Sequence, residues 1–407
     1  MPSGGRALSR TAEDARGAGA SGVYLDWAAT APPSRETADC LQETSREIFG
    51  NPSSIHRWGG QARALLEESR RIVAEELDCD SGLVRFTSGG TEANNMALLS
   101  LLRRPKPAHL VMSALEHASV HEPGRILEKF GWRVSRVRRG ASGLVGAAEI
   151  GKALRPDTAL VAVMLVNNET GQIQPLEEIS GMLRERERSG GPRIHLHVDA
   201  VQGAGKIPFS VRGLGADSLS VSAHKFQGPR GVGILVAGGG LEPLHTGGGQ
   251  EYGLRPGTEN TPGIAAAGRA LAAACRNREA NLRHAGNLAA ALLDGVRSCR
   301  QCRILPEDRL RRPGAFSPYI VSLAFPPIPG EVLVRVMDDR GYGISTGSAC
   351  SSRKTGDTRV LEGSGVSRED AFSSVRVSFG PDTTEKNVLD FVHDLRREVE
   401  LLFKVAR

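Results

Sequence analysis

The chain has 407 residues, of which 40% are hydrophobic and 24% charged, and its formal net charge is +6 at pH 7. This length exceeds what one small hydrophobic core supports, so we expect a globular protein of two domains. No apolar run reaches the roughly 18 residues of a membrane-spanning helix, and residues 1–21 lack the apolar segment of a secretory signal, so we expect neither a membrane segment nor export.

The positive charge does not predict a nucleic-acid partner. The arginines alternate with acidic residues along the whole length, and aromatic residues make up only 4% of the chain, whereas nucleic-acid-binding domains concentrate basic residues in one patch. Six cysteines in a chain of this size do not indicate a disulfide framework, which favours a reducing, cytoplasmic setting. Cys299 and Cys302 have no second pair to complete a zinc site, so we expect no metal centre and exposed thiols at a helix end.

Strand and helix patterns alternate along the first two thirds of the chain. Apolar residues at helical spacing predict helices at 61–77, 92–102 and 176–188. Short β-branched or apolar runs predict strands at 83–87, 109–113, 132–137, 160–166, 193–198, 218–221 and 232–236. The alternation indicates an α/β layer built on a mainly parallel sheet.

A smaller α+β domain is expected after this layer. An Ala- and Leu-rich helical connection at 264–298 leads to predicted strands at 319–324, 342–346 and 375–379 and predicted helices at 331–340 and 384–404. The predicted division is a flexible tail at 1–21, a large domain at 22–264 and a small domain at 265–407. A short strand at 23–26 would pair with the small domain or cover the cleft.

Two polar residues end predicted strands near the middle of the chain. Asp199 follows the strand at 193–198, and Lys225 closes the segment SAHK after the strand at 218–221. Side chains at the carboxyl ends of parallel strands face the crevice where α/β proteins bind ligands. A pyridoxal phosphate enzyme requires such a pair, because the lysine forms a Schiff base and the carboxylate pairs with the pyridine nitrogen. Taken alone, Asp199 could equally cap a helix and Lys225 could be solvated.

A glycine turn before a helix predicts an anion site. Gly89 and Gly90 close the segment FTSGG, and Thr91 opens the helix that follows. Free backbone N–H groups and the helix dipole at such a helix start favour an anion. By itself the pattern is more often only a turn. Together with a candidate Schiff-base lysine it predicts a phosphate site, to which Ser222 and His224 would add donors.

Four further residues are candidates for contacts with a flat cofactor or its substrate. His117 follows a predicted strand and could stack on an aromatic ring or relay a proton, unless it is a surface histidine. Asn168 either caps a turn or binds a ligand, and Gln202, three residues after Asp199, could reach a ring oxygen. Arg376 lies within an apolar strand and therefore requires a carboxylate, either internal or from a substrate.

The chain resembles the cysteine desulfurases of the NifS/IscS type, which are class V aminotransferases of fold-type I. The resemblance runs in order from about residue 24 to the C-terminus and is carried by the segments FTSGGTEANN, EHASV, VNNETGQIQP, HVDAVQGAGKIP, SAHKFQGPRGVG, GGGQEYGLRPGTEN and STGSACSS. It implies an α/β fold of fold-type I. In this fold a large domain has a mainly parallel seven-stranded sheet, and a smaller α+β C-terminal domain carries the catalytic cysteine loop.

The resemblance implies pyridoxal 5′-phosphate as cofactor, with one set of contacts at the ring and another at the phosphate. The implied contacts around the ring, beginning with the Schiff-base lysine, are Lys225, His117, Asp199, Gln202 and Asn168. The implied phosphate contacts are Gly90, Thr91, Ser222, His224 and, from the other subunit, Thr258. A site completed by a second subunit implies a homodimer.

For the reaction, the resemblance implies that Asn168 and Arg376 hold the carboxylate of L-cysteine and that Cys350 is the nucleophile. Lys225 would remove the α-proton, and Cys350, assisted by His117 or local positive charge, would take the sulfur as a persulfide and leave L-alanine. The segment STGSACSS resembles the SSGSAC group of the family rather than the RxGxHC group. The sulfur would then pass to an acceptor protein such as an iron–sulfur scaffold or a thiolation enzyme.

Three other functions share parts of this pattern. A selenocysteine lyase would share the fold and most of the site, and turnover of the two amino acids separates it from a desulfurase. A related transaminase would have no use for Cys350. A catalytically inactive scaffold that keeps the fold for assembly is disfavoured because all the required side chains are present.

Overall fold

The structure, a computed structural model, describes residues 22–347 and 358–405. The expected tail at 1–21 and the predicted nucleophile Cys350 lie outside the described residues. Within the described ranges the strands are β1 (Val23–Tyr24), β2 (Val84–Thr87), β3 (His109–Ser113), β4 (Arg133–Val137), β5 (Thr158–Met164), β6 (His195–Asp199), β7 (Ser218–Ser222), β8 (Gly233–Ala237), β9 (Arg303–Leu305), β10 (Ile320–Ala324), β11 (Tyr342–Gly343) and β12 (Ser374–Ser378).

The α-helices of the same ranges are α1 (Arg35–Glu47), α2 (Arg57–Leu77), α3 (Gly90–Leu99), α4 (Ala118–Lys129), α5 (Ala147–Ala153), α6 (Leu176–Arg188), α7 (Val211–Leu214), α8 (Thr261–Arg276), α9 (Arg278–Val296), α10 (Gly330–Asp339), α11 (Arg359–Gly363), α12 (Arg368–Phe372) and α13 (Glu385–Val405). Short 3-10 helices occur at Ser81–Leu83, Ser100–Arg103, Ala223–Lys225, Gln250–Gly253, Glu307–Arg309 and Pro313–Ala315.

A large sheet organises most of the described chain. It has seven strands in the order β2-β8-β7-β6-β5-β3-β4, and only β8 runs antiparallel to its neighbours β7 and β2 in the part of the chain described. Along β5, Leu160 and Ala162 belong to one apolar cluster and Val161 and Val163 to another, because successive side chains of a strand face opposite sides. Both faces are therefore covered, as parallel sheets require. The predicted α/β class with a mainly parallel seven-stranded sheet is confirmed.

A second core surrounds a three-stranded antiparallel sheet with the order β12-β10-β9. Helices α9, α10 and α13 pack on it. The long helix α13 buries an apolar stripe that includes Val388, Phe391, Leu395 and Val399, as its helical spacing predicts. The apolar cluster around the large sheet and the one around the small sheet have no residue in common.

The first described segment joins the two sheets. Strand β1 pairs in parallel with β11, and Asp26 bridges to Ser378 at the end of β12. Immediately afterwards the backbone carbonyls of Ala28 and Ala29 accept hydrogen bonds from Lys225, which follows β7. The beginning of the described chain thereby connects the small sheet to the carboxyl edge of the large one.

Three local expectations differ from the structure. The predicted helical stretch at 264–298 is two helices, α8 and α9, separated at Asn277. The predicted strand at 342–346 is limited to β11, and Ser345 makes only an isolated pairing with Arg376. The predicted exposure of Cys299 and Cys302 is wrong, because the turn after α9 folds both residues onto the apolar cluster of the small sheet.

Burial keeps the thiol of Cys302 protonated. Cys299 is 9% exposed, and burial raises the pKa of Cys302 to about 12. The five cysteines within the described ranges are all free thiols. Among the same residues, no helix combines the length and apolar character that crossing a lipid bilayer requires.

Candidate active site

A cavity of about 180 Å³ lies at the carboxyl ends of β5, β6 and β7, where Met164, Asp199 and Ser222 line its wall. This is the edge at which parallel α/β sheets bind ligands. The predicted site residues that line the same cavity are Gly90, Thr91, His117, Asn168, Asp199, Gln202, Ser222, His224, Lys225 and Arg376. Thr258 is exposed and is not among the lining residues, and Cys350 lies outside the described part of the chain.

Lys225 reaches the cavity from the 3-10 turn that follows β7. Its Nζ atom donates hydrogen bonds to the carbonyl oxygens of Ala28 at 2.7 Å and Ala29 at 2.6 Å. Those carbonyls belong to the segment that follows β1. The hydrogen bonds therefore connect this segment to the turn after β7. The amine therefore lies in a fixed place on the cavity wall.

Asp199 is the last residue of β6 and is almost fully buried. Its Oδ2 atom accepts a hydrogen bond from Nδ2 of Asn94 at 2.7 Å, and its Oδ1 atom accepts one from the backbone N–H of Val201 at 3.0 Å. Both oxygens are thus oriented by neutral donors. A buried carboxylate held in this way is suited to pair with a cationic group that enters the cavity.

The start of helix α3 forms another part of the wall. Gly89 occupies its cap position without any side-chain hydrogen bond, so no side chain of the described residues satisfies the first N–H groups of the helix. A Cβ atom added at Gly90 would lie 2.7 Å from Cγ2 of Val201 and 3.4 Å from Cβ of Ser222. Only glycine therefore allows this close approach, and the free N–H groups suit an anion.

His224 lies beside this helix start on the chain segment that carries Lys225. Its Nδ1 atom is 3.0 Å from Oγ1 of Thr30. Burial lowers the pKa of His224 to about 4, and the positive charges of Lys225 and Lys206 contribute in the same direction. The imidazole is consequently neutral at neutral pH and offers a hydrogen bond without a charge.

His117 caps the N-terminus of α4 rather than lying on the surface. Its Nδ1 atom accepts the backbone N–H of Ser119 at 3.1 Å and lies 2.8 Å from Oγ of the same residue. Burial lowers the pKa of His117, the carboxylate of Asp199 opposes that effect, and the amine of Lys225 adds to it. The ring is therefore neutral, and Nδ1 is its acceptor nitrogen.

Arg376 is 2% exposed and satisfies most of its guanidinium internally. Its Nη2 atom lies 2.8 Å from Oδ1 of Asp26, and Nη1 donates to the carbonyl oxygens of Asn168 and Gly347. The sequence left open whether Arg376 pairs with a carboxylate of the protein or with one of a substrate. The structure shows a partner within the protein, Asp26. Within the described residues, Nε of Arg376 and Oδ1 of Asn168 are buried without a hydrogen-bond partner.

The two neighbouring asparagines of the segment VNNETG have different environments. The side chain of Asn167 accepts backbone N–H groups of Glu169 and Thr170 and so caps the turn. Asn168 instead lines the cavity. The turn-capping alternative therefore describes Asn167, and Asn168 is available for a ligand.

These residues fit pyridoxal phosphate. An uncapped helix start with no room for a Cβ at Gly90 suits the phosphate, and Asp199 and Lys225 share the cavity as acid and amine. The buried Oδ1 atom of Asn168, which lacks a partner among the described atoms, indicates a further polar contact with a bound molecule. In the described part of the chain, no three His, Cys, Asp or Glu side chains cluster so as to hold a metal ion.

Two residues that hydrogen-bond predicted site residues were not expected from the sequence. Asn94 contacts Asp199, and Lys206 contacts Gln202. Asn94 is fully buried on α3, and its position shares a helix face with the buried residues Gly90, Ala97 and Leu98, a pattern that could have revealed it. Lys206 is buried and donates from Nζ to Oε1 of Gln202 at 3.0 Å. In the sequence, only the spacing of four residues between Gln202 and Lys206 could have indicated that contact.

Lys206 fixes the orientation of Gln202. With Oε1 occupied by the lysine, Nε2 of Gln202 donates to the carbonyl oxygen of Ala28 at 2.9 Å. Burial lowers the pKa of Lys206 to about 7, and the positive charges of Lys225 and Arg376 act in the same direction. A second, partly ionised amine thus lies beside the cavity.

Comparison with known proteins agrees with this geometry. Residues 23–391 match the aminotransferase class-V family. The cysteine desulfurase IscS of Dictyoglomus turgidum is 37% identical over 388 residues, which cover 94% of this chain and 96% of that protein. The cysteine desulfurase IscS 1 of Archaeoglobus fulgidus is 36% identical over 90% of this chain and 94% of that protein.

A solved structure of a NifS-like protein is similar throughout, with a TM-score of 0.85 and 33% identity over 93% of this chain and all of that one. This family and fold are those of pyridoxal phosphate enzymes. The chain belongs to the class-V aminotransferase family and, within it, to the cysteine desulfurases of the NifS/IscS type.

Proposed function

We propose that this cysteine desulfurase binds pyridoxal 5′-phosphate in the cavity and moves the sulfur of L-cysteine onto Cys350, releasing L-alanine. The observation that carries the proposal is the shared cavity of Asp199 and Lys225 beside the uncapped start of α3. An acid, an amine and an anion site together are what this cofactor requires.

The cofactor would be held at three places. Lys225 would bond it covalently, and Asp199 and Gln202 would hydrogen-bond its ring while His117 stacks on it. The phosphate would accept hydrogen bonds from the start of α3 at Gly90 and Thr91, with further donors from Ser222 and His224. When bound, pyridoxal phosphate supplies an electron sink for negative charge at the substrate α-carbon.

The substrate carboxylate would lie near Asn168 and Arg376. The Nε–H group of Arg376 is a buried donor that lacks a partner among the described atoms, so a carboxylate that accepts from it would remove the cost of leaving it unpaired. Asp26 and the carbonyl of Asn168 hold the rest of the guanidinium. The guanidinium is thereby oriented before the substrate arrives.

Proton transfer is assigned to two groups on the cavity wall. The Lys225 amine would take the α-proton of L-cysteine, because its Nζ atom is the amine that the turn after β7 brings into the cavity. His117 is neutral and accepts at Nδ1, so its Nε2–H group is available as a proton donor or as a partner for the nucleophile.

The sulfur transfer balances without an external oxidant. The thiolate of Cys350 would attack the substrate sulfur, so that an S–S bond forms while the bond between that sulfur and the substrate β-carbon breaks. The electron pair of the broken bond stays with the carbon skeleton, which takes up protons and leaves as L-alanine. Because Cys350 lies outside the described residues, this role is supported by its sequence segment alone.

The working assembly is proposed to be a homodimer in which Thr258 of each chain completes the phosphate site of the other. Thr258 is exposed and does not line the cavity of its own chain. Its glycine-rich segment is anchored by Glu251, whose carboxylate forms a buried, two-point ion pair with Arg70 at 2.8 Å. That anchor supports a loop held in position for a second subunit.

The persulfide would supply an acceptor protein, such as an iron–sulfur scaffold or a thiolation enzyme. The free thiols of the five described cysteines support a reducing, cytoplasmic setting. Neither nucleic acid nor a membrane is part of the proposal.

The function is tested by incubating the cofactor-loaded enzyme with L-cysteine, quantifying L-alanine and mapping peptide masses. The proposal predicts L-alanine together with a gain of one sulfur atom on the peptide that contains Cys350, and loss of both in Cys350→Ser. Preferred turnover of L-selenocysteine, with no sulfur left on Cys350, would instead identify a selenocysteine lyase. Absence of a visible absorption band after adding pyridoxal phosphate would identify an inactive scaffold.

A further inference from the structure

A buried chain of hydrogen bonds branches at Asn94, behind the candidate cofactor cavity. The Nδ2 atom of Asn94 lies 2.7 Å from Oδ2 of Asp199 and 2.8 Å from Oγ of Ser119, and Oδ1 lies 2.9 Å from Nε2 of His197. The side chain of Asn94 is 0% exposed. Asn94 thus contacts Asp199 directly. It is connected to His117 through the hydroxyl of Ser119, which His117 also contacts.

The direction of every bond in one branch follows from Asp199. A carboxylate only accepts hydrogen bonds, so the amide must present Nδ2 to Asp199 and Oδ1 to His197. His197 therefore donates from Nε2 and accepts at Nδ1, where Oγ of Ser218 lies at 2.8 Å. Ser218 in turn accepts from Nε2 of His195 at 2.7 Å. Burial lowers the pKa of His197 to about 3, which agrees with a neutral ring that donates once and accepts once.

The second branch leads to His117. Because Oγ of Ser119 accepts from Asn94, its own proton is free to be donated to Nδ1 of His117 at 2.8 Å. The backbone N–H of Ser119 points at the same nitrogen, at 3.1 Å. Two donors at Nδ1 leave the ring proton on Nε2, so His117 is held in a single neutral tautomer.

We propose that Asn94 is a positioning residue that orients the carboxylate of Asp199 and, by donating to the hydroxyl of Ser119, directs the proton of that hydroxyl to Nδ1 of His117. This inference rests on the proposed function. Asn94 links Asp199, which would pair with the cofactor nitrogen, to His117, which would stack on the cofactor ring. One amide has the required pair of N–H donors and one acceptor, whereas a carboxyl or hydroxyl group at position 94 has at most one donor.

The first test uses the protein without cofactor or substrate. In protein labelled with ¹⁵N at histidine, the imidazole shifts report which nitrogen carries the proton; signals are assigned by comparison with His117→Gln and His197→Gln. We expect both rings of the wild-type protein to be neutral and protonated at Nε2 at pH 7. Protonation of His117 at Nδ1, or a charged His197, would overturn the proposal.

The second test measures affinity for pyridoxal phosphate by titrating the cofactor-free protein and following visible absorbance. Asn94→Ala removes all three contacts, and Asn94→Asp keeps the size of the side chain but has no donor when ionised and at most one when protonated. We expect both variants to bind about 10-fold or more weakly, as the loss of a hydrogen bond to a charged group predicts. In Asn94→Ala we expect the Nδ1 signal of His117 to shift because the hydroxyl of Ser119 loses its donor, while the backbone N–H of Ser119 keeps the ring proton on Nε2. Affinity equal to the wild type, with the His117 signals unchanged, would overturn the proposal.

Leu395→Ala is the matched control for stability. Leu395 is fully buried in the core of the small sheet, away from the members of the network, so its truncation destabilises the protein without changing the site. A similar loss of cofactor affinity in Leu395→Ala would show that the effect at Asn94 is one of stability only. Since the histidine spectra need neither cofactor nor turnover, a wild type that fails to consume L-cysteine would contradict the proposed function and leave this proposal standing.

Discussion

Asp26 and Arg376 form an ion pair, with Oδ1 and Nη2 2.8 Å apart, between the segment that follows β1 and the strand β12. The arginine side chain is 2% exposed and the aspartate 17%. The charge that the sequence places in an apolar strand is thus compensated within the protein before any substrate binds. The Nε atom, which has no hydrogen-bond partner among the described residues, is the donor proposed to meet the substrate.

Replacing Asp26 by asparagine is expected to destabilise the protein. Asp26→Asn leaves the buried guanidinium of Arg376 without its carboxylate, and breaking such a pair lowers the free energy of unfolding by about 3 kcal/mol. Urea titration measures the change. Asp39→Asn is the matched control, because Asp39 pairs with Arg35 at 3.7 Å and is 72% exposed, so that change should be below about 0.5 kcal/mol. Equal effects of the two substitutions would show that the Asp26–Arg376 pair does not stabilise the fold.

A methyl group at position 90 is expected to weaken cofactor binding. In Gly90→Ala the new Cβ would meet Val201 at 2.7 Å, so the start of α3 must move away from the phosphate, and affinity for pyridoxal phosphate should fall about 10-fold or more. Gly181 lies within α6, where an added Cβ would meet no atom within 4 Å. Gly181→Ala should therefore keep the affinity and raise stability by about 0.5–1 kcal/mol. Unchanged affinity in Gly90→Ala would argue against a phosphate at this helix start.

His197 is expected to make the fold sensitive to acid. Its pKa is about 3 in the folded protein and about 6.5 when unfolded, so between these values the unfolded chain binds one proton more. Stability therefore rises with pH across this window and is lost as the pH falls from 6.5 toward 3. In His197→Gln, urea titrations at a series of pH values should show a shallower slope. An unchanged slope would mean that His197 is not held neutral.

Lys206 is expected to give a second pH dependence at higher pH. In the cofactor-free protein its pKa is about 7, against about 10.4 for an unfolded lysine. The unfolded chain again binds the extra proton, so stability rises between pH 7 and about 10.4, and the substitution Lys206→Met should remove that rise. The free energy of unfolding at pH 6, 8 and 10 provides the measurement, and a rise that persists in the variant would refute the assignment.

The sequence patterns predict the large sheet and the position of the cavity well, because both depend on short-range signals. Continuous apolar runs identify buried strands such as β3 and β5, and a polar residue directly after such a run, as with Asp199, lies at the carboxyl edge. Lys225 is found by the same reasoning. Each of these inferences needs only the residues of one strand and those that directly follow it.

What the patterns miss depends on contacts between distant parts of the chain. Asn94 is recognisable as a site residue only once α3 is packed against Asp199, which lies 105 residues further on. The pairing of Arg376 with Asp26 spans 350 residues. Burial of Cys299 likewise depends on how the turn after α9 packs onto the small sheet, which composition does not encode.

The covalent attachment point of the cofactor tests the whole account most directly. The enzyme loaded with pyridoxal phosphate is treated with borohydride, digested, and its peptides are mapped by mass spectrometry. The account predicts the reduced pyridoxyl group on Lys225. Its attachment to another amine, such as the neighbouring buried Lys206, or its absence from every peptide, would contradict the assignment of this cavity as the catalytic site.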